Sequence, residues 1–426
     1  MKRIALLMGT LTLGACAGTD APFEPSDEPV VMAERDDDSS EGGRIPGAFD
    51  DTQVPDDPVE TPDVPEAPEP TEQPDPTEEP DPTEPPDPEP VARVVLAVDT
   101  GIDTTCAVVD DGRVYCWGGT YGLKAVPVVG VVDAVDIAAG VFHFCALRST
   151  GGVQCWGDNA AGQLGDGSTT SSPSPVEVVG LTDAVGITAA QSASCALRSN
   201  GEAVCWGARY DVVPQRLFDL TGLEQVTLGD AHGCARVFTG DVWCWGHNSY
   251  GELGNGPTTT DALPAVVAGY GFADVSAGNS LTCGVNADDT ATCWGRNGEG
   301  QHGAGDFDAN AVKRAVLGPD GMPLGGIVSV SASNGLHACA LLDDGRVACW
   351  GNNGIGQLGD GGADGRPYAD YVMGLDDAVD VVTGIFETCA IRMTGELACW
   401  GSNANGQLGN GESGNLKREP TPITVL

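Results

Sequence analysis

The sequence predicts an all-β protein: a seven-bladed β-propeller with four-stranded antiparallel blades, preceded by a signal peptide and a disordered acidic Pro-rich linker. Three observations predict it. Cys, nine residues, then Cys-Trp-Gly recurs seven times without a change of spacing: Cys106 to Cys116, Cys145 to Cys155, Cys195 to Cys205, Cys234 to Cys244, Cys283 to Cys293, Cys339 to Cys349 and Cys389 to Cys399. Each unit holds short apolar runs between glycine-rich turns, a pattern of strands. Seven copies of such a unit suit blades that pack on their neighbours and close a ring.

The chain begins with Lys2 and Arg3, an apolar run from Ile4 to Leu13, and then Leu13-Gly14-Ala15-Cys16. A basic start, a short apolar stretch and small residues before a cut read as an export signal. The run is too short for a spanning helix. Its ending resembles the lipobox of bacterial lipoproteins, which implies cleavage before Cys16, lipidation of that cysteine and a membrane anchor. Two or three acyl chains hold stably, because each buried methylene contributes about 0.8 kcal/mol. An ordinary secretory signal with a chance cysteine is the alternative. Ala17 after the cysteine leans toward the outer membrane of the envelope.

From Asp51 to Pro90 the residues are mainly Pro, Asp, Glu and Thr, with little to bury. Such a stretch cannot offset its ordering entropy. Proline and like charges extend it, so forty residues span on the order of 120 Å. Between Ala17 and Pro90 stand 25 Asp/Glu against Arg35 and Arg44, leaving −21 of the net −42 to Val91 onward once Lys2 and Arg3 are counted. Both parts are acidic, which excludes a phosphate-binding groove and so nucleic acid. The segments are therefore 1–15, a lipoprotein signal; 16–93, a lipid-anchored linker; and 94–426, the ring.

Within a unit, four strands are expected in order. In unit two they are Ala134 to Ala139 ending near Gly140, a second starting at Cys145, a third over Val153 to Gly157, and a fourth over Pro175 to Val179. First cysteines lie 39, 50, 39, 49, 56 and 50 residues apart. The short intervals follow units one and three, which lack the loop written Gly162-Gln163-Leu164-Gly165, Gly356-Gln357-Leu358-Gly359 and Gly406-Gln407-Leu408-Gly409 elsewhere. Loss of a loop with retention of strands is how repeats tolerate change.

Asp110-Asp111-Gly112 suits a three-residue hairpin turn with glycine in the left-handed position. Counting outward from it, Val109 meets Arg113, Val108 faces Val114, Ala107 pairs Tyr115, and Cys106 faces Cys116 without hydrogen bonds. Such a site brings Cα atoms to about 4.5 Å, within reach of a disulfide. Glycine recurs there at Gly151, Gly201, Gly240, Gly345 and Gly395, and Asp289 replaces it in unit five. Seven local disulfides in an oxidising compartment follow. Buried free thiols are one alternative; zinc is another, although its closely spaced ligands are missing. The residue after each first cysteine is Ala or Gly, which implies close packing on a neighbouring blade.

Cys-Ala-Leu, a Gly turn, Cys-Trp-Gly and then Asn-x-x-Gly-Gln-Leu-Gly together resemble the repeat of the regulator of chromosome condensation family, over Val94 to Leu426. The resemblance implies a seven-bladed propeller. The founding member is a nuclear exchange factor for a small GTPase that docks on chromatin, a role that an exported acidic domain does not share. One secreted bacterial branch of the fold inhibits β-lactamases through a propeller face.

No nucleophile elbow, phosphate loop, zinc-protease helix or dinucleotide motif occurs, and no cofactor or metal is expected. His143, His232 and His337 each stand two residues before a first cysteine, and that recurrence assigns them to the scaffold. Asp158 with Asp166, and Asp306 with Asp308, match no calcium loop spacing. Topology puts the strand 1–2 corners and the Gly-Gln-Leu-Gly loops on one side of the ring. That side carries Phe142, Tyr210, Tyr250, Phe307, Tyr368 and Phe386, which break the repeat and suit an interface. The expected activity is non-enzymatic: a monomeric, membrane-tethered propeller, outside the cytoplasm in a bacterial cell envelope, binding a protein or glycan through that loop face. An inhibitor of a secreted enzyme, or a hydrolase or lyase using the central channel, are the alternatives.

Overall fold

The computed structural model describes residues 92–257, 261–267, 271–308, 312–332 and 335–425. The export signal, Cys16 and almost all of the linker lie outside these residues. The described chain forms seven four-stranded antiparallel sheets, each built from consecutive strands. Blade 1 comprises β1 (Val95–Thr100), β2 (Thr104–Val109), β3 (Val114–Gly118) and β4 (Gly122–Pro127). Blade 2 comprises β5 (Ala134–Ala139), β6 (His143–Arg148), β7 (Val153–Gly157) and β8 (Ser172–Glu177). Blades 3 to 7 follow over 184–216, 223–266, 272–315, 327–371 and 378–423.

The hairpin register is the expected one. Cys106 faces Cys116, Ala107 faces Tyr115, and Val108 faces Val114; the Val109 amide donates to Arg113 O at 3.0 Å. Gly112 has φ 78° and Asp289 φ 61°, the left-handed conformation that this turn requires. All fourteen ring cysteines form disulfides within their own hairpins. Cys106 is joined to Cys116, Cys145 to Cys155, Cys195 to Cys205 and Cys234 to Cys244. Cys283 is joined to Cys293, Cys339 to Cys349 and Cys389 to Cys399. Their Cα atoms lie 4.0–4.1 Å apart, closer than the 4.5 Å typical of such sites. The free-thiol and zinc alternatives are not what these hairpins hold.

Two expected strand limits shift. The second strand of blade 2 begins at His143, two residues before Cys145, because His143 pairs with Gly157. Its fourth runs Ser172–Glu177, because Val178 turns inward to a buried position.

Each blade buries two faces against two neighbours. The cysteines and their same-face partners pack on the next blade: Cys106, Val108, Val114 and Cys116 meet Ile137, Phe144, Ala146 and Trp156. The small residue after each first cysteine lies on the opposite face, toward the preceding blade. At Gly284 its own blade adds to the crowding, since a Cβ there would lie 2.5 Å from the Phe272 ring. The same arrangement joins blade 7 to blade 1, where Cys389, Ile391, Leu397 and Cys399 meet Val95, Val98, Ala107 and Trp117. The ring closes without strand exchange, since each of these two blades draws its strands from one stretch of chain.

Candidate functional site

The residues that define the repeat are used to couple blades. In blade 2 the Asn159 side chain, fully buried, accepts from the Leu164 amide at 2.9 Å and donates to Ser168 and Thr170 carbonyls. This fold of the loop aims the Gln163 carbonyl at blade 3. There it accepts from Trp206 Nε1–H at 2.9 Å and from the Ser194 hydroxyl at 3.2 Å. Gln407, Glu252 and Gln357 carbonyls do the same for Trp117 with Thr105, Trp294 with Thr282, and Trp400 with Thr388. Gly165 permits the approach, since a Cβ would lie 2.8 Å from the Trp206 ring.

The three recurring histidines complete this contact. His143, His232 and His337 Nε2 each lie 2.8 Å from the hydroxyl of Ser194, Thr282 and Thr388 in the next blade. Each of these hydroxyls gives its own proton to a loop carbonyl of the histidine's blade. The imidazole must therefore donate, which makes it the neutral Nε2–H tautomer. Burial agrees, pushing His143 down to about 4 and the other two down to about 3. These residues are scaffold.

The first strand of each blade lines a central channel of about 760 Å³. Its inner edge has no partner strand, and side chains from the preceding blade supply acceptors instead. Asp99 accepts from the Ala139 amide, Asp274 from Val330, Ser276 from Ala332 and Ser331 from Thr383, each at 3.0 Å. The channel carboxylates thus cap a free sheet edge. Burial raises Asp274, against hydrogen bonds from Val330 and Gln225 that lower it. Among the described residues no three His, Cys, Asp or Glu side chains are grouped to hold a metal ion. Asp158 instead accepts from Gln163, and Asp306 pairs with Arg314.

The chain runs up β1 from the Gly-turn side, so the strand 1–2 corners and the long loops share the opposite side, here the loop face. Five of the six expected aromatics are exposed there: Phe142 (60%), Phe307 (55%), Tyr250 (45%), Phe386 (42%) and Tyr368 (37%). They form separate groups. Phe142 and Phe386 hold the same corner position in blades 2 and 7, flanking blade 1, where Asp103 takes that place. Phe307 and Tyr368 belong to the two sides of the seam between blades 5 and 6, where Ala304 bridges to Tyr368. Tyr250 stands apart on the blade 4 loop.

Tyr210 corrects the expectation. It packs half-buried in the core between blades 3 and 4, and its hydroxyl accepts from Trp245 Nε1–H at 3.0 Å. Blade 3 lacks the loop whose carbonyl serves the next tryptophan from blades 2, 4, 5, 6 and 7, and the phenol supplies that acceptor. Two features escaped the sequence reading. Every inner strand starts with a bulge, which turns Leu96, Val135 and Val185 outward, each about half exposed, at the Gly-turn end of the channel. Glu387, fully buried, occupies the histidine position in blade 7.

Repeat models described as regulator of chromosome condensation (RCC1) repeat match residues 95–120, 134–163, 224–252, 272–301 and 327–357, and in a second form 150–197 and 239–285. Among solved structures the chain is similar to Prp20p from Saccharomyces cerevisiae, described with its binding to Gsp1p and histones. That match has 19% identity, a TM-score of 0.64, and covers 78% of this chain and 88% of that one. Yeast RCC1 (Prp20) bound to Kap60 gives 19% identity and a TM-score of 0.65 over 78% and 85% of the two chains. Human WBSCR16 gives 19% and 0.63 over 71% and 85%. No curated protein sequence matches significantly. At this identity the structural likeness is one of fold. This chain therefore carries regulator of chromosome condensation (RCC1) repeats on a seven-bladed propeller of four-stranded blades.

Proposed function

We propose that the protein is a non-enzymatic binding module, tethered outside the cytoplasm, that takes a protein or glycan partner on its loop face. One observation carries this reading: the repeat residues are consumed in blade coupling, and five exposed aromatics that break the repeat stand on the loop face, against Phe218 and Phe238 on the Gly-turn side. The chain enters the ring on the other side. Arg93 donates to Val425 O and Val95 to Gly395 O beside the last Gly turn. A lipid on Cys16 would then tether the ring through the segment that enters on that side. Buried disulfides suit an oxidising compartment. Exposed Phe and Tyr are the side chains that anchor interfaces, and the fold's relatives named above include proteins with protein partners. A proteinaceous inhibitor of a secreted enzyme is a special case of the same surface.

The test compares three full-length proteins displayed on cells: wild type, a variant with Phe142, Tyr250, Phe307, Tyr368 and Phe386 changed to serine, and one with Val129, Val135 and Val185 changed to serine on the Gly-turn side. Capture that the first variant loses and the second keeps supports the reading; the reverse pattern overturns it. Palmitate labelling lost in Cys16→Ser tests the tether separately.

A further inference from the structure

Six seams join neighbouring blades within the chain, and a seventh closes the ring between blade 7 and blade 1. In three of the six a neutral histidine donates to a hydroxyl of the next blade. At the closing seam the same position is Glu387, on β26 (Glu387–Arg392), which pairs with Gly401 of β27 (Leu397–Gly401). Its carboxyl curls under the Gly384 corner as the imidazoles do under theirs. A Cβ on Gly384 would lie 2.6 Å from Glu387 Oε1 and 2.2 Å from Thr100 Oγ1, just as one on Gly140 would lie 2.1 Å from His143 Cε1.

The pocket is built for a neutral group. Neither carboxyl oxygen of Glu387 has a hydrogen bond of good geometry, and neither has the Thr100 hydroxyl beside it. The Thr105 hydroxyl, at the place where the histidines find their acceptor, already gives its proton to Gln407 O and can only accept. The titratable groups that face Glu387 from blade 1 are Asp99 on β1 and Asp103 on the β1–β2 corner, both carboxylates. From its own blade, β25 (Ala378–Thr383) brings Thr383 beside Thr388, and β27 brings Gly401. A carboxylic acid can donate here as the histidines do. A carboxylate can only accept, with the Thr100 hydroxyl as the side-chain donor beside it, in a dry site with two like charges nearby.

We propose that Glu387 is a proton-operated latch on ring closure: neutral, it holds blade 7 against blade 1, and ionised, it loosens that seam alone. Closure is otherwise non-covalent, resting on the shared apolar cluster and on contacts such as Gly119 N to Asn405 O. Burial holds the Glu387 carboxyl well above the usual range, with Asp103 and Asp99 adding to it, against the Thr100 hydroxyl and the Phe386 backbone, which lower it. A raised carboxyl adds stability that is complete below the unfolded value, about 4.3, and is lost as pH rises through the folded value.

Hydrogen exchange of the full-length protein with intact disulfides, corrected for intrinsic base catalysis, tests this between pH 5 and 9. Peptides over β1, the β3–β4 turn and residues 403–411 should open about tenfold more per unit rise of pH within the titration, while the blade 2–blade 3 seam stays flat above pH 7. Glu387→Gln should abolish the dependence at the closing seam, and Glu387→His should leave that seam flat above pH 7. Equal pH dependence in wild type and both variants, or loosening spread evenly over all seams, would overturn the proposal. If Glu387→Gln fails to fold, Glu387→His, which repeats the arrangement of three other seams, carries the comparison.

Discussion

Remove the disulfides and the ring should not survive. Each links residues ten apart in sequence, and closing a loop of that size in the unfolded chain is worth about 2.7 kcal/mol. Seven such links amount to about 19 kcal/mol, against a total stability of about 5–15 kcal/mol for ordinary domains. All fourteen ring cysteines are buried, so reductant must act on unfolded chain. The assay is reduction and alkylation in denaturant, followed by dilution and far-ultraviolet circular dichroism with a denaturant titration. The alkylated chain should show no cooperative transition, and replacing both members of the single pair Cys389 and Cys399 with alanine should lower stability by about 3 kcal/mol. A non-alkylated reduced chain that regains wild-type stability would refute the reasoning. It would mean that the turns persist in the unfolded ensemble, so that the links constrain nothing.

Tyr210→Phe removes the acceptor of Trp245 Nε1–H and should cost about 1–3 kcal/mol in thermal unfolding while leaving partner capture unchanged. The buried histidines give a second pH limit. Their folded values lie below the unfolded one, so stability is complete above about pH 6.5 and is lost as pH falls toward the about 4 of His143. Unfolding midpoints from pH 7 to pH 4 should fall, and His143→Gln should flatten part of that slope; equal slopes would argue against the neutral tautomer.

The hairpins were legible because their physics is local. A three-residue turn with a left-handed glycine sets the register, and register alone brings Cys106 opposite Cys116. Seven repeats and the missing loops of units one and three follow from the same short-range pattern. The loop-face aromatics were placed from strand direction alone, and five of them are exposed there. Tyr210 was misplaced because its role depends on what blade 3 lacks and on where Trp245 of blade 4 points. Glu387 stood in plain view at the histidine position, yet composition around it says nothing of its burial.

Strand order, blade number and cross-strand cysteine pairing could be read from the chain because each depends on pairings within a single repeat, the cysteines only ten positions apart. How the ring closes could not, since it rests on contacts such as Thr105 with Gln407, 302 residues apart. Nor could the charge states at the seams, because a carboxyl or imidazole takes its proton according to the dielectric and the neighbouring charges that a second blade brings to it. Sequence spacing sets the blade, and the meeting of blades sets its chemistry.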